Sequence, residues 1–413
     1  MRADDADDVV ITGLGLVSPV GPDARSTMRA LLAGESGVRL LPADERERTP
    51  VSLCAPVDDS ALTRVSRREK LRHDRSVQLA LQAGREAWED AGAPQAEPSR
   101  VASVIATGMG GLTILLGLYD RYLVRGPVAV PAHTITGIMA NASSALLAAE
   151  IGARAAAVSL ASACASGSDA IAHALRLFRD DEVDLALAGG TEAIVHPVTL
   201  SAFAALRALS SRHDDPARAS RPFDRDRDGF VLGEGAAVLV LERRRHARAR
   251  GARIWARVAG AGSTCDGSHL VAPDPTGQWN AAAIGKALRA ARLGPSDVHA
   301  VSAHATATVR GDLAEAEALK KAFNGALSGV CVTALKSSFG HMIGASGAVA
   351  AAVAAISVRD KALPPTRNLD HLDPAIDLDV VRDKARPLPA GAAIVVNAAG
   401  FGGHNTALVI AAE

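Results

Sequence analysis

One thiol in this chain stands at a structural junction. The stretch "VSLASACASGSDAIAHALRLF", residues 158–178, places Cys164 between an apolar run that alternates like a strand and a segment with helical spacing, fenced by Ala, Ser and Gly. A thiol is a useful nucleophile only as thiolate. The partial positive charge of a helix N-terminus lowers its pKa, and small neighbours admit a substrate. Taken alone, Cys164 reads as a buried core residue. Three further groups change that. His304 lies in "SAHATATVRGDLAE", just after a predicted strand, and His341 lies in "KSSFGHMIGASG", after another strand and before an Ala-rich helix. "NAAGFGGHN", residues 397–405, forms a Gly-rich turn between two strands and can aim backbone N–H groups at an oxyanion. A thiol, two imidazoles and a glycine turn at equivalent strand ends make a site for covalent, nucleophilic chemistry.

The elements that must position these groups alternate between strand and helix. "DVVITGLGLVS" reads as a buried strand running into a Gly-rich turn, and "SVQLALQAGREAWEDAG" as an amphipathic helix closed by Gly92. "RVASVIATG", "AAVSLASA", "VDLALAGG" and "AAVLVLE" are short apolar runs of the kind found in sheets covered on both faces. After the basic helical stretch "ERRRHARARG", the strand "ARIWARVAGAG" opens a second series. That series continues with "VHAVSAHATA", "GVCVTALKSS", the Ala-rich helix from Gly344 to about Val358, "AAIVVNAAGFGG" and "TALVIAAE". The pattern predicts two α/β halves, residues 1–252 and 253–413, with only faint direct identity between them.

Several functions are excluded by composition or spacing. Lys+Arg and Asp+Glu number 45 each, so the balance gives no sign of a nucleic-acid binder. The four cysteines have no CxxC spacing, which argues against zinc and a disulfide framework and fits a reducing cytosol. The acidic start "MRADDADDVVITG" is unlike a secretory signal, and "GAVAAAVAAISV", residues 347–358, is too short to span a bilayer. A soluble cytoplasmic protein is expected. "GLGLVS" and "GMGGLT" begin like dinucleotide fingerprints, but Ser18 and Thr113 occupy the third glycine position. "DRDRDGFVLGEG" resembles a calcium loop until its twelfth position, which is Gly235 and not a carboxylate. No metal site is expected, and "ERRRHARARGAR" reads as a solvated helix face.

With those residues in view, the chain resembles the elongating β-ketoacyl-acyl carrier protein synthases of type II, condensing enzymes of the thiolase superfamily. "VVITGLGLVSPVG", "ACASG", "AGGTEA", "SRPFDRDRDGFVLGEGAAVLVLE", "AHATAT", "GDLAEAEALK", "KSSFGHMIGASG" and "GFGGHN" arrive in that family's order over nearly the whole length. The resemblance implies a thiolase-like layered α-β-α-β-α sandwich of two similar halves, usually a homodimer. It implies decarboxylative condensation of a malonyl thioester with an acyl group on Cys164, with no cofactor beyond the phosphopantetheine arm of an acyl carrier protein. His304 and His341 match the family's paired histidines, Lys336 and Glu315 the groups that orient them electrostatically. Phe401 matches the gate of the acyl pocket, and its N–H joins that of Cys164 at the oxyanion. Thr306 and Thr308 match positions that meet phosphopantetheine, and Met109 the far end of the acyl pocket. Asp266 lies on a loop that in relatives moves with the Phe401 loop, where Gly402 is also assigned to the substrate. Arg68, Arg72 and Arg207 align with residues that dock the acidic carrier protein.

Departures from the family pattern bear on substrate range. "GARAAAVSL" has Ala155 and Ala156 where a Gly-Pro step is usual, "NAAGFGG" has Ala398 and Ala399 where Ser and Phe are common, and "HATAT" replaces "HGTST". They leave open an alternative role as the ketosynthase subunit of a type II polyketide synthase, paired in a heterodimer with a chain-length partner. A thiolase would need a second cysteine near the C-terminal glycine turn, and the last here is Cys331. A short-chain initiating synthase would pair cysteine with His and Asn. A non-catalytic chain-length partner would lack Cys164.

Overall fold

A computed structural model describes residues 8–413; the first seven residues of the acidic opening segment lie outside the described residues. Val9–Val17 (β1) is buried at every position, as a strand covered on both faces must be. The first series continues with α1 (Arg75–Asp90), β2 (Val101–Ala106), α2 (Leu112–Arg125), α3 (Ala142–Ile151), β3 (Ala156–Val158), α4 (Ser166–Arg179), β4 (Leu185–Glu192) and β5 (Gly235–Arg243). The second is β6 (Ala256–Cys265), α5 (Gln278–Ala291), β7 (Ala300–Ser302), α6 (Val309–Phe323), β8 (Cys331–Thr333), α7 (Ser346–Asp360), β9 (Ala393–Gly400) and β10 (His404–Ala411).

The two series have one topology. Their strands run in the orders β1-β5-β4-β2-β3 and β6-β10-β9-β7-β8, the second extended at its edge by a two-residue strand, Asp379–Val380, parallel to β8. In each, the first two neighbour pairs are antiparallel and the last two parallel. Only the pairs Val10–Arg257 and Ile11–Ala256 join β1 to β6. Helices α4 and α7 pack between the two sheets, α1 and α3 cover the outer face of the first, and α5 and α6 that of the second. The resulting α-β-α-β-α layering is the thiolase-like sandwich. Its central core interleaves Ala170, Ile171 and Ala174 of α4 with Val349, Ala352 and Val353 of α7.

The glycines of "GLGLVS" serve this packing. A Cβ on Gly13 or Gly15 would lie 2.1 Å from the Ala87 carbonyl oxygen or 1.8 Å from that of Ala83, both on α1. Gly260 and Gly262 of β6 repeat the arrangement against Ala287 and Ala283 of α5, at 2.4 and 2.3 Å. What begins like a nucleotide fingerprint is a close approach of helix to strand, made twice.

Two expectations need correction. "GAVAAAVAAISV" is part of a longer helical run, because a 3₁₀ turn at Ile343–Ala345 precedes α7. The 18 residues from Ile343 to Asp360 meet the length and hydropathy of a membrane span, and their burial between the sheets accounts for the composition instead. "AAVSLASA" is a strand only over Ala156–Val158, at the sheet edge. Beyond it the Ser159 hydroxyl donates to the Ile105 carbonyl at 2.7 Å, and the Ser162 N–H to the Ser166 hydroxyl at 2.9 Å, turning the chain into the elbow that carries Cys164.

Candidate active site

The parallel strands end on one side of the molecule, and the reactive groups follow those ends, where open α/β sheets place their ligands. Cys164 follows β3 in the 3₁₀ turn Ala163–Ala165 that leads into α4. His304 follows β7, and Lys336 and His341 follow β8. Phe401 begins the turn between β9 and β10, where Gly402 and Gly403 adopt φ of +89° and +77°.

Cys164, His304, His341 and Phe401 line one cavity of about 560 Å³. The Cys164 Sγ lies 3.0 Å from His341 Nε2, and His341 Nδ1 lies 3.0 Å from the Ser346 hydroxyl. The imidazole of His304 stands edge-on to that of His341 with ring centres 5.5 Å apart, and Phe230 packs on His341 at 5.2 Å. Burial, then the nearby Lys336 ammonium, holds both histidines well below pKa 6.5, so each is a neutral imidazole at pH 7. Ser346 can accept from Nδ1–H or donate to bare Nδ1, and therefore serves either neutral form of His341.

The thiol departs from the sequence expectation. Burial pushes Cys164 up to about 12, against the lowering effects of Lys336 and of the backbone N–H groups of Phe401 and Cys164 itself. Desolvation outweighs the helix end here, and the resting group is a thiol whose proton has an acceptor at His341. The same two N–H groups, aimed at the sulfur, flank the position where an oxyanion would form.

Besides the field that Lys336 exerts on both imidazoles, Lys336 and Glu315 hold the backbone that carries His304. Glu315 accepts the His304 and Ala305 N–H groups at 2.7 Å each and the Asn397 amide at 2.7 Å. Lys336 donates to the His304 carbonyl. Both therefore fix the backbone of the turn, in which Ala305 and Ala307 have φ of +23° and +65°, values that favour glycine. Burial lowers Lys336 to about 8, opposed by the Glu315 carboxylate.

Thr306, Thr308, Met109, Asp266 and Arg207 also line the cavity, and the two threonine hydroxyls are 3.0 Å apart. Met109 is 45% exposed in the single chain. Asp266 is tied to the glycine turn: its N–H donates to the Gly403 carbonyl at 2.8 Å and its carboxylate accepts from Asn405 at 2.7 Å, while the Gly402 N–H donates to Leu270 at 2.7 Å. Arg68 and Arg72 are not brought to the cavity; they lie exposed on the short helix Arg67–Arg72.

Sequence reasoning missed Glu192, fully buried at the end of β4. Its carboxylate accepts from the N–H groups of Gly108 at 2.7 Å, Gly344 at 3.0 Å and Met109 at 3.3 Å, and from the Thr107 hydroxyl at 3.0 Å. It thereby clamps the Met109 loop to the turn that follows His341. Its only sequence signal was a carboxylate closing an otherwise apolar strand.

Comparison with known proteins places these features in one setting. Residues 6–247 match the family described as "Beta-ketoacyl synthase, N-terminal domain" and residues 255–370 its C-terminal domain. A 3-oxoacyl-[acyl-carrier-protein] synthase 2 of Mycobacterium tuberculosis (strain ATCC 25618 / H37Rv) is 42% identical over 403 residues, covering 97% of this chain and 96% of the relative. The enzyme of that name from Coxiella burnetii is 38% identical, covering 97% and 98%. Among solved structures, a β-ketoacyl synthase from Burkholderia phymatum STM815 superposes with TM-score 0.89 at 34% identity, covering 98% of this chain and 99% of that one. A type II polyketide ketosynthase, solved with its acyl-carrier protein and bound to the hexaketide, gives 0.90 at 29% identity and the same coverage.

Proposed function

The chain belongs to the β-ketoacyl synthase family, and from that premise we propose that its cavity carries out the decarboxylative condensation of malonyl-acyl carrier protein with an acyl group held on Cys164, elongating fatty acid chains. The observation that carries the assignment of roles is the contact of the thiol with one neutral histidine while a second faces the same space. In the first half-reaction Cys164 attacks the acyl thioester, His341 Nε2 takes the thiol proton, and the N–H groups of Cys164 and Phe401 hold the oxyanion. Collapse expels the carrier thiolate, which leaves with that proton. In the second, His341 takes the other neutral form that Ser346 can serve, with its proton on Nε2 and bare Nδ1 accepting from the hydroxyl; the malonyl carboxylate departs as CO₂, and the Nε2–H groups of His304 and His341 hold the enolate oxygen. The enolate carbon attacks the acyl carbonyl and Cys164 leaves as thiolate, which takes the Nε2 proton of His341 while Nδ1 gains one from solvent, so the cycle consumes one proton and restores the resting thiol. Lys336 and Glu315 position His304 through its backbone.

Fatty acid elongation is favoured over polyketide assembly by the higher identity to the synthase 2 relatives, 42% against 29% for the polyketide ketosynthase. A second copy of the chain suits the face where Tyr119, Leu123, Val128 and Ile135 are exposed beside the open edge strand β3. Arg207 at the mouth and Arg68 and Arg72 on their exposed helix offer positive charge to an acidic carrier protein. Four free cysteines agree with a reducing, cytoplasmic setting. Incubation with acyl- and malonyl-carrier protein should yield 3-oxoacyl-carrier protein and CO₂ in equal amounts; release of CO₂ with no 3-oxoacyl product would overturn the assignment.

A further inference from the structure

The cavity mouth presents two cations with nothing to hold. Arg207 and Arg310 both line it, both are exposed, and neither guanidinium has a hydrogen-bond or ion-pair partner among the described residues. The acids around the same mouth are engaged. Asp266 accepts from Asn405 at 2.7 Å and the Asp274 N–H at 3.0 Å, Asp274 accepts from the Thr276 hydroxyl at 2.8 Å, and Asp228 from the Ser211 N–H at 3.0 Å. Arg207 moreover keeps φ of +54° just past the helix Pro197–Ala205, a position that favours glycine, so a side chain is retained there against the backbone's preference.

Arg310 is the exposed end of one stretch of the cavity lining. His304, Thr306 and Thr308, the last two with hydroxyls that suit amides, line the cavity at buried or half-buried positions, and the next alternate residue, Arg310 in the first turn of α6, is exposed. A phosphopantetheine arm has the same polarity, with its thioester at one end, two amides in the middle and a phosphate at the other. Resting on the proposed function, we propose that Arg310, assisted by Arg207, binds the phosphate of the incoming arm. The guanidinium fork matches phosphate oxygens, and such charge-assisted bonds are strong.

Protection of Cys164 from iodoacetamide by 4′-phosphopantetheine and by pantetheine, followed by intact mass, reads this contact without turnover. The phosphorylated compound is expected to protect at about tenfold lower concentration, as one or two charge-assisted bonds imply. Arg310→Gln should bring the two half-protecting concentrations together, and Arg207→Gln should do so in part. Equal concentrations in the parent protein, or an unchanged ratio in Arg310→Gln, would overturn the proposal. So would a rise in KM for carrier-protein substrates alone, which would assign Arg310 to carboxylates of the carrier. A parent protein that shows the phosphate preference yet forms no 3-oxoacyl product would overturn the proposed function and leave the phosphate contact standing.

Discussion

The elbow after β3 and the elbow after β8 are the same piece of backbone put to different uses. The first reads Ala163-Cys164-Ala165-Ser166-Gly167 and the second Ile343-Gly344-Ala345-Ser346-Gly347, with "ASG" common to both. Each begins with a non-glycine residue in the left-handed region, Ala163 at φ +50° and Ile343 at +39°. Such conformations cost on the order of 1–3 kcal/mol and persist where surrounding structure enforces them. At the first elbow the central side chain opens into the cavity. At the second it is missing, since a Cβ on Gly344 would lie 2.4 Å from the Gly108 nitrogen and 2.8 Å from the Glu192 carboxylate. The second half gives up a nucleophile so that Glu192 can bind the turn, and supplies His341 three residues earlier. One repeated device thus provides the thiol from one half and its proton acceptor from the other.

The largest break in that comparison is Cys164→Ala, which should lower condensation by at least about 10³-fold while leaving the melting temperature near that of the parent. Rates with acyl- and malonyl-carrier protein check it, and residual activity within tenfold would contradict it. Next come His304→Ala and His341→Ala. Each removes one donor to the enolate oxygen and should slow malonyl decarboxylation by about 10²–10³-fold. For His304 the effect on Cys164 acylation should be smaller, because of the two histidines it is His341 that touches the sulfur. Equal losses in both partial rates of His304→Ala would erase this division of labour.

Much of this site was legible from sequence because reactive side chains stood where strands ended among small residues. Cys164, His304, His341 and the turn at Phe401 needed no pairing information to be noticed. The two α/β series were legible from alternating apolar runs, and their matched strand orders give that impression a topology. What sequence could not convey was the balance of opposing terms at a buried position. A helix end favours the thiolate, but at Cys164 desolvation dominates and raises the thiol. Glu315 reads in sequence as an electrostatic orienter of the histidines, and its two bonds to the backbone N–H groups of His304 and Ala305 depend on a turn that sequence does not display. Gly344 gave no sign of its role, and Glu192 only that of a carboxylate at a strand end, since a glycine that makes room for a distant carboxylate has no local signature.

Filling the second elbow sharpens the contrast. Gly344→Ala should destabilise the fold by about 1–3 kcal/mol, because its Cβ has no space. Urea unfolding measures it, and a midpoint within error of the parent would show that the turn can move. Met109→Phe tests the loop held by Glu192: it should cost about 1–3 kcal/mol for long acyl donors that reach this wall and spare short ones. Comparing a short and a long donor decides, and an unchanged ratio would remove Met109 from the pocket.

The smallest effect concerns protons. Burial raises Glu192 to about 7, opposed by its backbone hydrogen bonds. A carboxyl with a higher pKa in the folded state binds its proton more tightly there, so this group's contribution to stability is complete below the unfolded value near 4.5 and is lost as pH rises through about 7. Glu192→Gln should cost about 1–3 kcal/mol through lost acceptors and flatten the decline in stability across that window. An unchanged slope of unfolding free energy against pH would contradict it.

The condensation passes through one acyl-bearing atom, the sulfur of Cys164. Incubating the protein with acyl-carrier protein, omitting malonyl donor, and measuring intact mass should show one acyl adduct per chain, mapped to the peptide containing Cys164 and absent from Cys164→Ala. An adduct of the same mass that persists in Cys164→Ala would contradict the account.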